Sequence, residues 1–218
     1  MDTGIPLTPS ASKIVCFGRT FAKHALELGN EIPREPVFFL KAPSAVITDG
    51  VAIQLPAASK EVHYEAEAAI VIGQRLTAAS PKAAYAAIQG WTVLNDVTAR
   101  DLQRADKGRF TRAKGFDTFC PIGSVLIRQL DWANTYVQCL VNSEQRQYAS
   151  LSELLLTPAE LVSHASYCMT LMPGDIVSLG TPAGVGPLKN GDVVTAQLVS
   201  DSGNVLVGVS NPVLGQNG

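Results

Sequence analysis

A mostly β chain with a few short helices is predicted for these 218 residues, first because short runs rich in β-branched and aromatic residues recur along nearly the whole sequence. Helical patterns are few and brief. No regular alternation of strand and helix occurs, which argues against a doubly wound parallel sheet. The length suffices to bury a sizeable core, and one domain is the simpler expectation.

In chain order, Met1 to Ser12 mixes Pro, Ser, Thr and Gly and reads as an N-terminal arm, loose or forming the first edge of the domain, with the ordered domain running from 13 to 218. Strands are expected over Ile14–Phe17, Val37–Leu40, Ala45–Ile47, Ala66–Ile72, Trp91–Asn95, Tyr136–Val141, Ile176–Leu179, Val193–Leu198 and Val205–Val209. Helices are expected over Phe21–Leu28, Pro81–Ala87, Ala99–Asp106 and Pro158–Thr170. Proline opens two of them, at the turn where a missing N–H donor costs nothing.

Hydrophobic residues at 46% and charged residues at 17% are ordinary globular usage, which argues against wholesale disorder. The formal charge of -2 and pI near 5.9 give no electrostatic reason to expect nucleic acid. The densest positive stretch, Arg100 to Lys114, is interleaved with Asp101 and Asp106 and fits a local anion site better than a nucleic-acid track. Cys16, Cys120, Cys139 and Cys168 are widely spaced and read as buried free thiols rather than zinc ligands or disulfides. With no signal-like start and no long apolar run, no membrane association and a cytoplasmic address are expected.

The segment His63-Tyr64-Glu65-Ala66-Glu67 leads into the apolar strand Ala68 to Ile72. Strand side chains alternate faces, so Glu65 and Glu67 point the same way. Two carboxylates on one side of an apolar strand are costly to desolvate unless a cation or protons neutralise them. Asp96 ends the next apolar run and is a third hard oxygen donor. Without clustered His or Cys, such a set favours Mg²⁺ or Mn²⁺, with Ca²⁺ the other candidate, over Zn²⁺. Spacing alone leaves open that the two glutamates form the solvent face of a half-exposed strand.

His24 and Glu27 are three apart on a short helical segment, within reach of one another. A carboxylate beside an imidazole raises its basicity, as a water-activating base needs, although an exposed helix also produces this spacing by chance. Arg100 and Gln103 share a helix start just after Asp96 and suit a small carboxylate. Lys114 is placed to stabilise an enolate. For each of these, plain surface charge stays open. His63 is a neighbour of the carboxylates, and His164 reads as structural. Gly180-Thr181-Pro182-Ala183-Gly184-Val185-Gly186 follows a strand, and lets backbone N–H groups approach a ligand or serves as a tight turn.

Taken in order, Gly18-Arg19-Thr20-Phe21-Ala22-Lys23-His24 with Glu27, Pro36 to Lys41, His63 to Glu67, Asp96 to Gln103, Ala113 to Gly123, and Pro173-Gly174-Asp175 through Gly186 resemble the fumarylacetoacetate hydrolase superfamily. The likeness is to its short acylpyruvate hydrolase and oxaloacetate decarboxylase branch, and runs from about Lys13 to Pro212. It implies a mixed β-sandwich roll, a homodimer, and Mg²⁺ or Mn²⁺ on Glu65, Glu67 and Asp96. It further implies His24 and Glu27 on a lid helix as catalytic residues with Lys114. Arg19, Arg100, Gln103, Gly180 and Thr181 would then bind an oxo-acid substrate.

The activity so implied is metal-dependent hydrolysis of a carbon–carbon bond in acylpyruvate-type 2,4-dioxo acids, of the fumarylpyruvate or acetylpyruvate class. Oxaloacetate decarboxylation, isomerisation or hydration of unsaturated oxo acids, and non-catalytic oxo-acid binding are the alternatives. Three departures stand out: Phe21 where the family commonly has Tyr, Val141-Asn142-Ser143 for Val-Asn-Gly, and Arg109-Phe110-Thr111 for an aromatic Pro-Trp segment.

Overall fold

The computed structural model describes residues 5–6, 11–27, 29, 31 and 33–215. Strands dominate, with short helices at Ala22–Glu27, Pro81–Ala86, Arg100–Ala105, Thr111–Lys114 and Pro158–Cys168. Pro81 and Pro158 occupy first helical turns, and Thr157 and Glu160 close a capping box at the latter.

Two five-stranded sheets organise the molecule. The first has the spatial order Val37–Lys41, Ile14–Gly18, Ile176–Ser178, Ala66–Ile72, Ile88–Asn95. Only its Ile14–Gly18 and Ile176–Ser178 pair is parallel. The second has the order Glu144–Ser150, Thr135–Val141, Val193–Ser200, Val205–Gly215, Ile53–Leu55, antiparallel until its last, parallel pair. A small third sheet joins Val62–Tyr64 to Gly186–Pro187 and Thr98–Ala99.

The strand Ala66–Ile72 is buried at every position. Ala66, Ala68, Ile70 and Ile72 pack in one cluster with Val137, Cys139, Ala196 and Leu198 of the second sheet. Ala69 and Val71 join a second cluster with Ile14, Cys16, Cys120 and Ile176. Apolar packing on both faces explains why this strand reads as a continuous apolar run rather than an alternating one. Glu67 is in phase with Ala69 and Val71, so the first sheet carries a carboxylate at the edge of its second cluster.

The expected strands are present, with one change: Ala45 belongs to the 3₁₀ turn Pro43–Ala45, and only Val46–Ile47 is strand. Among the described residues eight strands lie outside the expected set, five of them only two residues long and three longer. Ile53–Leu55 and Val62–Tyr64 are too short to show a period. Glu144–Ser150 is a polar edge strand whose pairing comes from the hairpin at Asn142-Ser143, where both residues have positive φ, 51° and 68°. Ile5–Pro6 pairs with Val125–Leu126, which makes that part of the arm a sheet edge; the rest of the arm through Ser10, with Leu28 and the last three residues, lies outside the described residues. Three of the four cysteines are buried, and Cys168 is exposed.

Asp175 is a buried carboxylate with a structural task. It accepts hydrogen bonds from Ser12 N at 3.0 Å, Ser12 Oγ at 2.7 Å, Lys13 N at 3.1 Å and Met172 N at 2.7 Å, and pairs with Lys13 Nζ. Its bonds tie the start of the first sheet to the turn before Ile176–Ser178.

Candidate active site

The Ala66–Ile72 and Ile88–Asn95 strands pair with Ala66 opposite Asn95, which sets Glu65, Glu67 and Asp96 side by side at one end of the first sheet. Asp96 N donates to Glu65 O at 2.8 Å, and Glu65 N to Asn95 Oδ1 at 3.0 Å, locking the two chain segments together. All three carboxylates are buried, and one oxygen from each lies within 4.8 Å of the others. The solvent-face alternative for the two glutamates is thereby excluded.

Three cations answer the three carboxylates. Arg100 pairs with Glu65 through Oε1, Lys41 Nζ lies 2.6 Å from Asp96 Oδ1, and Lys114 bridges Glu65 Oε2 at 2.7 Å and Asp96 Oδ2. Burial raises the Glu65 carboxyl, but Lys114 and Arg100 outweigh it and hold it well below its usual range. Glu67 has no such partner. Burial, with Asp96 and Glu65 beside it, pushes its carboxyl well above the ordinary value, although Ser178 Oγ donates to it and Gly180 N does so at 3.1 Å.

A cavity of about 480 Å³ opens onto this cluster. Arg19, His24, Arg100, Gln103, Lys114 and Thr181 line it with the three carboxylates, so most of the expected site residues converge. Two act from behind the wall: Gly180 through its N–H to Glu67, and Glu27 beside His24. Arg19 has a left-handed backbone, φ 59°, after Gly18. Arg100 Nη1 donates to Gln103 Oε1 at 2.6 Å, the contact expected of a three-residue helical spacing. Phe39 stacks on Phe110 at 4.5 Å between ring centres, and Lys114 Nζ lies 4.7 Å from the Phe39 centroid.

His24 Nδ1 is 3.5 Å from Glu27 Oε2, adjacent but not hydrogen-bonded. Glu27 is held by Gly184 N, which donates to both its oxygens at 3.0 and 3.1 Å. Tyr64 Oη in turn donates to Gly184 O at 3.0 Å. Burial lowers the His24 pKa, and Arg100 adds to this while Glu65 and Glu27 oppose it, a net direction that favours the neutral imidazole.

His63 lines the cavity and pairs with Glu61 at 3.1 Å. His164 packs edge-on against Phe17 and Phe38, the structural place expected of it. Phe21 lies in the apolar core, bridged to Leu154 and outside the cavity lining, so the ring at this position is a packing element. Two side chains escaped sequence reasoning. Lys41 was visible as a charge ending the apolar run Val37 to Leu40. Gln147 accepts from Ala66 N at 3.0 Å and donates to Thr181 Oγ1 at 2.8 Å, and sits on a polar edge strand that offered no signal.

The fumarylacetoacetate (FAA) hydrolase C-terminal family model matches residues 13–213. The chain belongs to the fumarylacetoacetate hydrolase family. It is 42% identical over 190 residues to the mitochondrial oxaloacetate tautomerase of Arabidopsis thaliana, covering 85% of each. It is 39% identical over 188 residues to the mitochondrial oxaloacetate decarboxylase of Dictyostelium discoideum, covering 84% of this chain and 86% of that one. The fold is shared with fumarylpyruvate hydrolase from Pseudomonas aeruginosa, solved with Mn²⁺ and pyruvate, at a TM-score of 0.86 and 28% identity over 99% of this chain and 98% of that one. The mostly β architecture with short helices is that of the family, whose members are enzymes. Among the described residues no helix is long and apolar enough to cross a membrane.

The donor set fits a divalent cation. Three hard oxygen donors converge, with one oxygen of each within 4.8 Å of the others and no histidine or cysteine in the set.

Proposed function

We propose that the protein is a divalent-metal-dependent enzyme that forms and reprotonates the enolate of a short 2-oxo dicarboxylic acid of the oxaloacetate class. The observation that carries this reading is the His24 imidazole on the wall of a cavity whose carboxylate cluster is paired with Lys41, Arg100 and Lys114. Mg²⁺ or Mn²⁺ on Glu65, Glu67 and Asp96 would supply Lewis-acid polarisation of the substrate's oxo group. The site would then carry a net positive charge that suits a dianion.

Arg19, Arg100, Gln103 and Thr181 bind carboxylate oxygens, with Gly180 holding Glu67 in place. Lys114 stabilises negative charge developing on the oxo oxygen. His24 takes a proton from the carbon beside the oxo group and delivers it to the enolate oxygen to give the enol, or runs the reverse, and Glu27 stabilises the imidazolium formed between the two transfers. Decarboxylation alone needs no base, so the imidazole favours the tautomerase reaction. The relatives named oxaloacetate tautomerase and decarboxylase support the substrate class.

Acylpyruvate hydrolysis is the second reading, supported by the structural neighbour named fumarylpyruvate hydrolase. His24 would then deprotonate a water that attacks the distal carbonyl, and cleavage would expel a pyruvate enolate next to Lys114. A homodimer and a cytoplasmic address complete the proposal, although both relatives named above are mitochondrial.

The test is to assay oxaloacetate enolisation, oxaloacetate decarboxylation and cleavage of acetylpyruvate and fumarylpyruvate, each with Mn²⁺ and with chelator. Enolisation is expected to be fastest and to vanish in chelator. Faster acylpyruvate cleavage would install the second reading, and full activity in chelator would remove the metal from both.

A further inference from the structure

Each carboxylate of the cluster has one oxygen tied to a protein donor on a different element. Arg100 takes Glu65 Oε1, Ser178 Oγ and Gly180 N take Glu67 Oε2, and Lys41 takes Asp96 Oδ1 at 2.6 Å. The Lys41 ammonium also donates to Val97 O at 3.2 Å, and its side chain is fully buried, outside the cavity lining. A buried ammonium held at two points is costly to place and has little freedom to move. Of the oxygens left, Lys114 holds those of Glu65 and Asp96 from the cavity wall, and Glu67 Oε1 has no donor among the hydrogen bonds of the described residues.

We infer that these donors set the metal selectivity of the site, with Lys41 a positioning residue that confines Asp96 to a single ligand oxygen. This rests on the metal reading above and goes beyond it. Ca²⁺ reaches its larger coordination shell by taking carboxylates through both oxygens, whereas Mg²⁺ and Mn²⁺ favour a compact octahedron. If a bound cation displaces Lys114 from Glu65 Oε2 and Asp96 Oδ2, three carboxylates offering one oxygen apiece would satisfy half of an octahedron and leave the rest for water and substrate. They serve Ca²⁺ poorly.

The charge of Lys41 acts equally on any divalent ion, so its removal by itself changes Mn²⁺ and Ca²⁺ affinity alike. Its grip on Asp96 Oδ1 does not, because release of that oxygen helps only the ion able to use both. The ratio of the two affinities therefore separates positioning from simple charge.

The experiment is calorimetric titration of the metal-free protein with Mn²⁺ and with Ca²⁺, for the natural chain, Lys41→Met, Lys41→Arg and Ser178→Ala. The natural chain is expected to bind Mn²⁺ the more tightly. Lys41→Met should shrink the Mn²⁺ to Ca²⁺ ratio by roughly tenfold or more, the scale on which partners of metal ligands act. Lys41→Arg should restore most of it. Ser178→Ala, which loosens Glu67 from a neutral donor, should move the ratio the same way to a smaller extent and stands in if Lys41→Met does not fold. A ratio unchanged in a folded variant, with both affinities shifted together, overturns the inference while leaving the metal in place. Absence of any divalent binding by the natural chain overturns the metal reading itself.

Discussion

The carboxylate trio and the His24–Glu27 pair reach the same cavity from opposite kinds of support. Glu65, Glu67 and Asp96 stand at the ends of two long paired strands, one of them buried on both faces, and their backbones are bonded to each other. His24 and Glu27 ride on a six-residue helix, Ala22–Glu27, too short to persist alone in water. Local contacts hold it: Phe21 bridged to Leu154, buried Ala25, Lys23 on Glu153 at 2.8 Å, and Glu27 on Gly184. On the proposed mechanism, metal binding falls to the paired strands. On the same mechanism, proton transfer falls to a segment whose position depends on a few replaceable bonds, the support a lid would need.

The largest expected effect separates the two regions outright. Asp96→Asn should abolish Mn²⁺ binding and activity together, whereas His24→Ala should lower proton-transfer turnover by about 10²- to 10⁴-fold and leave Mn²⁺ affinity intact. Calorimetry beside kinetics reads this, and loss of metal affinity in His24→Ala would merge the two regions into one.

A smaller effect probes the support of the helix. Gly184 has φ +99°, and an added Cβ would meet the Arg146 carbonyl oxygen at 2.2 Å. Gly184→Ala should cost about 2 kcal/mol or more of stability, and should lower kcat through displacement of Glu27 while metal affinity holds. Unchanged kcat would show that the Glu27 contact is not needed.

The smallest effect uses Asp175 as a control, a buried carboxylate of the same sheet with no part in the cavity. Burial raises its carboxyl, but Lys13, the Met172 amide and Ser12 outweigh it and the net shift is downward. A depressed folded value gives stability that is complete above the ordinary carboxylate range, about pH 4, and is lost as pH falls through the lower folded value. Asp175→Asn should cost about 2 kcal/mol at neutral pH. Its melting temperature should fall less steeply in acid than that of the natural chain, with Mn²⁺ affinity at pH 7 unchanged. A fall in that affinity would show that the two buried acid systems are coupled.

Much of the site was legible because its residues sit in local patterns. The two-residue spacing of Glu65 and Glu67 fixes their common face, and three-residue spacing brings Arg100 to Gln103. The burial of both glutamates was not legible, since a half-exposed strand carries the same spacing. Lys41 and Gln147 were missed for a related reason: their partners, Asp96 and Ala66, are 55 and 81 residues away. Sequence spacing carries no distance across such separations.

By itself, then, the sequence determined the strand-rich architecture, the shared face of Glu65 and Glu67 and, through its collinear motifs, the family. The first two follow from backbone periodicity, which acts within a few residues, and the family from the resemblance of those motifs. Only the tertiary structure decided that Asp96 joins the two glutamates, that three cations from distant segments balance them, and which carboxylate oxygens are held. Those outcomes depend on strand register and on burial in a low-dielectric core, where an unpaired charge is too costly to tolerate.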